Sequence, residues 1–147
     1  MDRRDATEAV LAAKRKAGVT WAKLAEAVGQ SPAWTTAALL GQMQMTAAEA
    51  GAAGRLLGLD DEVVSLLQDV PMRGSLDADV PTDPLIYRFH EIVQVYGTTL
   101  KALIAEEFGD GIMSAIDFSM DVARVPDPKG DRVKVTLNGK FLPYRRY

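Results

Sequence analysis

Three residues in the second half of the chain, Arg88, Glu91 and Ser114, have the types and spacing to do chemistry together. An arginine is planar, permanently charged and able to hold an oxyanion through two parallel hydrogen bonds. A glutamate three positions later on a helix lies beside it and can orient it, or carry a proton if burial raises its pKa. A serine hydroxyl close to a glycine-rich turn can add a donor. The same residues also fit a plainer reading. An Arg and a Glu three apart on a helix commonly form a solvated ion pair contributing about 0.2–0.5 kcal/mol, and Gly109-Asp110-Gly111 is a common kind of chain reversal. Residue types alone leave both readings open.

The elements that must position these residues are legible around them. Asp83-Pro84 is a helix start, with a carboxylate to cap the first turn and proline at the first helical position. Leu85, Phe89, Ile92 and Tyr96 then recur at helical spacing. Gly97 reads as a left-handed stop and Thr98 as the cap of a second helix reaching about Phe108. After Ser114 the period becomes two. Ile116, Phe118, Met120 and Val122 alternate with Asp117, Ser119 and Asp121, which predicts a strand with one buried face. Residues 126–131 form a loop, Val133, Val135 and Leu137 a second strand, Asn138-Gly139 a hairpin turn, and Lys140-Phe141-Leu142 a third strand.

This stretch resembles the C-terminal motif of the cyanase family, the bicarbonate-dependent cyanate lyases. The resemblance rests on Tyr87-Arg88-Phe89, Glu91, the run from Gln94 to Leu103, Gly109-Asp110-Gly111-Ile112 and Ser114-Ala115-Ile116. It extends more loosely back to residues 36–41 and forward through Leu137-Asn138-Gly139-Lys140-Phe141-Leu142-Pro143. It implies that Arg88, Glu91 and Ser114 are the catalytic set, that bicarbonate attacks the carbon of cyanate, and that carbamate, ammonia and carbon dioxide result. It implies no cofactor and no metal, bicarbonate serving as co-substrate, and a homodecamer built from five dimers. Two small anions in one pocket repel each other, so one arginine per chain is little. A site shared between subunits is therefore expected.

Composition sets the frame. The 147 residues are 48% hydrophobic and 25% charged, which is the balance of a globular protein. A net charge of −3 gives no general attraction to nucleic acid or acidic membranes. The absence of cysteine excludes thiolate chemistry and disulfides. No signal-peptide or transmembrane pattern is visible, so a cytoplasmic location is expected. His90, the single histidine, reads as a surface or interface residue.

Residues 1–75 read as a helical bundle. A capping box is expected at Asp5-Ala6-Thr7-Glu8, and further starts at Thr20, Ser31-Pro32, Thr46-Ala47-Ala48-Glu49 and Asp60, with glycine at most stops. The second and third helices have helix-turn-helix spacing. A recognition helix should carry Arg, Lys, Asn or Gln, but residues 32–40 contain none, and the 8 Lys/Arg of residues 1–75 are outnumbered by 9 Asp/Glu. A packing and assembly role is the expected one. Turn-rich residues 70–80 mark a boundary to a catalytic and dimerisation domain over 76–147. The fold class is thus α+β: a repressor-like helical bundle followed by a small α+β domain with a short antiparallel sheet. The competing readings are a helix-turn-helix transcriptional regulator with a C-terminal dimerisation domain, and an inactive assembly protein of the same fold.

Overall fold

The computed structural model describes residues 1–146, which form two compact units, Met1–Ser75 and the residues from Leu76 onward. The first holds five helices: α1 (Arg3–Ala17), α2 (Trp21–Val28), α3 (Pro32–Leu39), α4 (Ala47–Leu57) and α5 (Asp61–Leu66). The Thr20, Ser31 and Thr46 side chains accept from the first-turn amides as the sequence predicts, and Thr46 and Glu49 form the reciprocal capping box.

The first helix starts earlier than expected. Its cap is Asp2, whose Oδ1 accepts from Arg4 N at 2.7 Å and Asp5 N at 3.0 Å, while Asp5 Oδ2 accepts from Asp2 N at 2.7 Å. A second acidic residue three places upstream offers the same box as Asp5 and Glu8. Starting there puts Ala6, fully buried, inside the helix.

Leu24, Leu39, Met45, Leu67 and Val10 fill the centre of this unit, and Ala6, Ala38, Ala50 and Ala53 let the helices approach closely around them. The Arg3 guanidinium crosses to the end of α3, with Nη2 donating to the carbonyls of Ala38 at 2.9 Å and Met43 at 3.2 Å. Burial lowers its pKa, an effect partly offset by Asp69.

The second unit holds α6 (Pro84–Phe108) and two antiparallel strands, β1 (Gly111–Val125) and β2 (Arg132–Pro143). Asp83 Oδ1 caps α6 by accepting from Leu85 N and Ile86 N, both at 3.0 Å. Two expectations are corrected here. Gly97 does not stop the helix, and α6 runs through it in one piece of 25 residues. An interior glycine costs only about 1 kcal/mol relative to alanine, and Leu100 to Glu107 are good helix formers with no proline to end the run.

Nor is Asn138-Gly139 a hairpin turn. It lies inside β2, where Ser119 pairs with Asn138 and Phe118 with Gly139, so the sheet has two long strands rather than three short ones. The reversal occurs at residues 126–131, the predicted loop. Gly130 adopts φ 124° there, and the Arg124–Asp131 ion pair at 2.9 Å ties the strand ends. The two expected short strands are therefore one strand with a register shift opposite it.

Candidate active site

Arg88 and Glu91 sit on the second and third turns of α6, one helical step apart and both exposed in the single chain. The plain reading of them as an ion pair does not hold among the described residues, because no salt bridge or hydrogen bond joins them. The Arg88 guanidinium instead lies 5.9 Å from the centroid of the Tyr87 ring, within cation–π range. Tyr87 in turn meets His90 with ring centroids 5.8 Å apart. Tyr87 is thus a neighbour of the site that residue-type reasoning passed over. The only signal for it was an aromatic directly beside the arginine.

Ser114 is placed very differently. It is 5% exposed and opens a large bulge in β1. Met113 pairs with Phe141 and Phe118 with Gly139, so Ser114, Ala115, Ile116 and Asp117 face the single residue Lys140. The serine side chain closes this bulge: Oγ accepts from Ile116 N at 3.0 Å and from Asp117 N at 2.9 Å. A hydroxyl has two lone pairs and one proton. With both lone pairs engaged by backbone amides, the hydroxyl can act toward a ligand only as a donor, and it is fixed in that role. The same two amides draw electron density from the oxygen and strengthen it as a donor.

The structure does not bring the three residues together within one chain. Gly111, Ile112 and Met113 line a cavity of about 200 Å³ with Lys101, Ile104 and Ala105. The strand leading into Ser114 therefore passes the last turns of α6. From Lys101 back to Arg88 the helix rises about 20 Å at 1.5 Å per residue. Arg88 and Glu91 thus lie near the start of α6, and the strand leading into Ser114 lies beside its end. Among the described residues no group of three or more His, Cys, Asp or Glu side chains is arranged to hold a metal ion.

Comparison with known proteins covers both units. Residues 3–71 match the family described as Cyanate hydratase, N-terminal, and residues 78–146 the Cyanate lyase C-terminal domain. The chain belongs to the cyanate hydratase family. It is 65% identical to a cyanate hydratase of Thiobacillus denitrificans and 60% identical to one of Ralstonia pickettii, each over 147 residues and the whole of both chains. A crystal structure of cyanase from T. urticae superposes with a TM-score of 0.82 at 38% identity, over 94% of this chain and 96% of that one. The resemblance read from residues 87–116 thus extends over the full chain, and the α+β class with a helical bundle ahead of the strand-bearing unit is that of the cyanate hydratase family. No helix among the described residues is long and apolar enough to cross a membrane.

Proposed function

We propose that this chain is a cyanate lyase that decomposes cyanate with bicarbonate as co-substrate, using Arg88, Glu91 and Ser114. The observation that carries the activity is the full-length match, at 65% identity, to a protein named cyanate hydratase. The site assignment is supported by the fixed donor at Ser114 and the exposed guanidinium at Arg88.

In the proposed reaction a bicarbonate oxygen attacks the electrophilic carbon of cyanate, forming a C–O bond as the C–N π electrons move to nitrogen. Nitrogen takes up a proton, the proton of the former bicarbonate also passes to nitrogen, and cleavage of the new adduct's bond to the bicarbonate carbon releases carbon dioxide. Cyanate, bicarbonate and one proton thus give carbamate and carbon dioxide. Carbamate with a second proton gives ammonia and carbon dioxide. Arg88 offsets the repulsion between the two anions, and its charge matters most where water is excluded. Ser114 donates to an anion oxygen. Glu91, one helical step from Arg88 and unpaired with it, carries the proton. The sequence needs no redox or group-carrying cofactor, since the carbon attacked is already electrophilic.

The complete site is proposed to lie between copies of the chain, with Arg88 and Glu91 of one near Ser114 of another. The separation along α6 supports this, as does the absence of any buried residue on that helix in the single chain. An oligomer of dimers, the decamer expected from the family resemblance, would provide the cover. Residues 1–75 serve it as a packing and assembly module, and residues 76–147 as its catalytic part. Steady-state ammonia release from cyanate in degassed buffer, with and without bicarbonate, tests the activity. Turnover that requires added bicarbonate is the expected result. Equal turnover without it makes water the nucleophile and overturns the mechanism.

A further inference from the structure

Gly139 sits where a glycine has no conformational reason to be. It is not at a turn, because β2 continues on both sides of it. It is not in the left-handed region either, its φ lying outside the positive range that favours glycine. What it lacks is room. A Cβ built on Gly139 would collide with the Ser114 carbonyl oxygen and would come within 2.6 Å of Met113 Cγ. A methionine side chain can swing aside, but a backbone carbonyl inside a strand cannot move without carrying its peptide unit with it.

That carbonyl belongs to the residue that opens the bulge. Four residues of β1 are accommodated opposite one of β2 only if β2 is thin at the neighbouring position, and Gly139 is the residue paired just beyond the bulge. Bulges re-aim side chains by changing the local direction of a strand. Here the re-aimed side chain is Ser114, whose Oγ is pinned by the Ile116 and Asp117 amides. A shift of the Ser114 carbonyl rotates the 114–115 peptide and breaks the geometry of both bonds.

We propose that Gly139 is a positioning residue for Ser114, its missing side chain admitting the bulge that fixes the serine hydroxyl as a donor. The inference rests on the reading of Ser114 as a donor to the anions. Gly139 touches no substrate and acts only through the bulge.

The test compares wild type, G139A, S114A and S114A/G139A as full-length assembled protein. It reads kcat and KM for bicarbonate-dependent ammonia release and hydrogen exchange over residues 114–118. Misplacing a reacting group by about 1 Å costs up to about a hundredfold, so G139A should lower kcat by about tenfold to a hundredfold, with faster exchange confined to 114–118. Because the effect runs through the serine, S114A/G139A should match S114A in kcat to within about twofold, the non-additivity expected of residues acting as one unit. A G139A protein with wild-type kcat overturns the proposal, as does a multiplicative loss in the double variant. Should S114A alone keep full turnover, the donor reading of Ser114 fails first. A slow G139A in that setting then overturns the positioning role separately, because the loss could not run through the hydroxyl. If G139A does not fold, M113A/G139A takes its place. It removes the side-chain overlap and keeps the carbonyl one, so it should still be slow, and full turnover there overturns the proposal.

Discussion

The two units place their apolar residues in opposite ways. In Met1–Ser75 the large aliphatic side chains converge: Leu24, Leu39 and Leu67 are fully buried and Met45 nearly so. In the unit from Leu76 onward they face outward. Leu85, Val93 and Leu103 on α6 are each 60% exposed or more, and α6 buries nothing in the single chain. A hairpin and one helix cannot bury enough surface to be stable alone. The first unit is a finished core, whereas the second leaves its large apolar side chains on the surface of the single chain, the face on which other copies are proposed to pack. All three proposed catalytic residues are in the second unit. On the proposed reading, assembly and activity are one property of this chain, and substitutions in the two units should have different consequences.

The largest effect is expected on the exposed face of α6. Ile92→Asp places a charge on the outward face of α6, where Ile92 is 47% exposed in the single chain. If copies cover that face, the variant should fall apart into smaller species by light scattering and lose turnover. An unchanged mass would mean that the face is free. Leu24→Ala removes a fully buried side chain from the finished core and should cost about 2–5 kcal/mol in denaturant unfolding. Oligomer mass and KM should be unchanged while the chain remains folded.

Thr35 sharpens the same contrast from the other direction. It is fully buried and, among the described residues, its Oγ1 has no hydrogen-bond partner. Thr35→Val should therefore stabilise the helical unit by about 1 kcal/mol, read as a higher Tm. The smallest effect concerns Glu49, whose carboxyl is held below the ordinary glutamate pKa, chiefly by the Thr46 backbone N–H. A depressed folded pKa gives stability that is present above the unfolded value and is lost as pH falls through the folded one. Glu49→Gln keeps an acceptor at the capping position and should flatten that acid-side loss slightly in unfolding curves taken from neutral to acid pH.

What the sequence made legible was local. Thr20, Ser31-Pro32, Thr46 with Glu49, and Asp83-Pro84 mark their helix starts because a cap is settled within four residues. Gly97 misled because a glycine in a helical pattern can be a stop or an interior residue, and a cost near 1 kcal/mol does not decide between them. Asn138-Gly139 misled for a different reason. The pair is a strong turn signal, but the glycine answers to a carbonyl on the facing strand, a demand that arises only in three dimensions. The bulge left no trace in β1, since the alternation of Ile116, Phe118, Met120 and Val122 runs straight past it. Arg88, Glu91 and Ser114 became candidates through the family resemblance, and Tyr87 stood beside Arg88 in the sequence, whereas the pinning of Ser114 by two amides emerged only from the fold.

If a complete site takes residues from more than one copy of the chain, two inactive variants should rescue each other when they are mixed. R88Q and S114A, purified separately, should each lose about 10²–10³-fold in kcat, the range for removing one stabilising donor. Unfolded together and reassembled, they should regain a substantial fraction of wild-type turnover, because some mixed sites receive Arg88 from one chain and Ser114 from another. Reassembled mixtures no more active than the separate variants would contradict the account and place the whole site within a single chain.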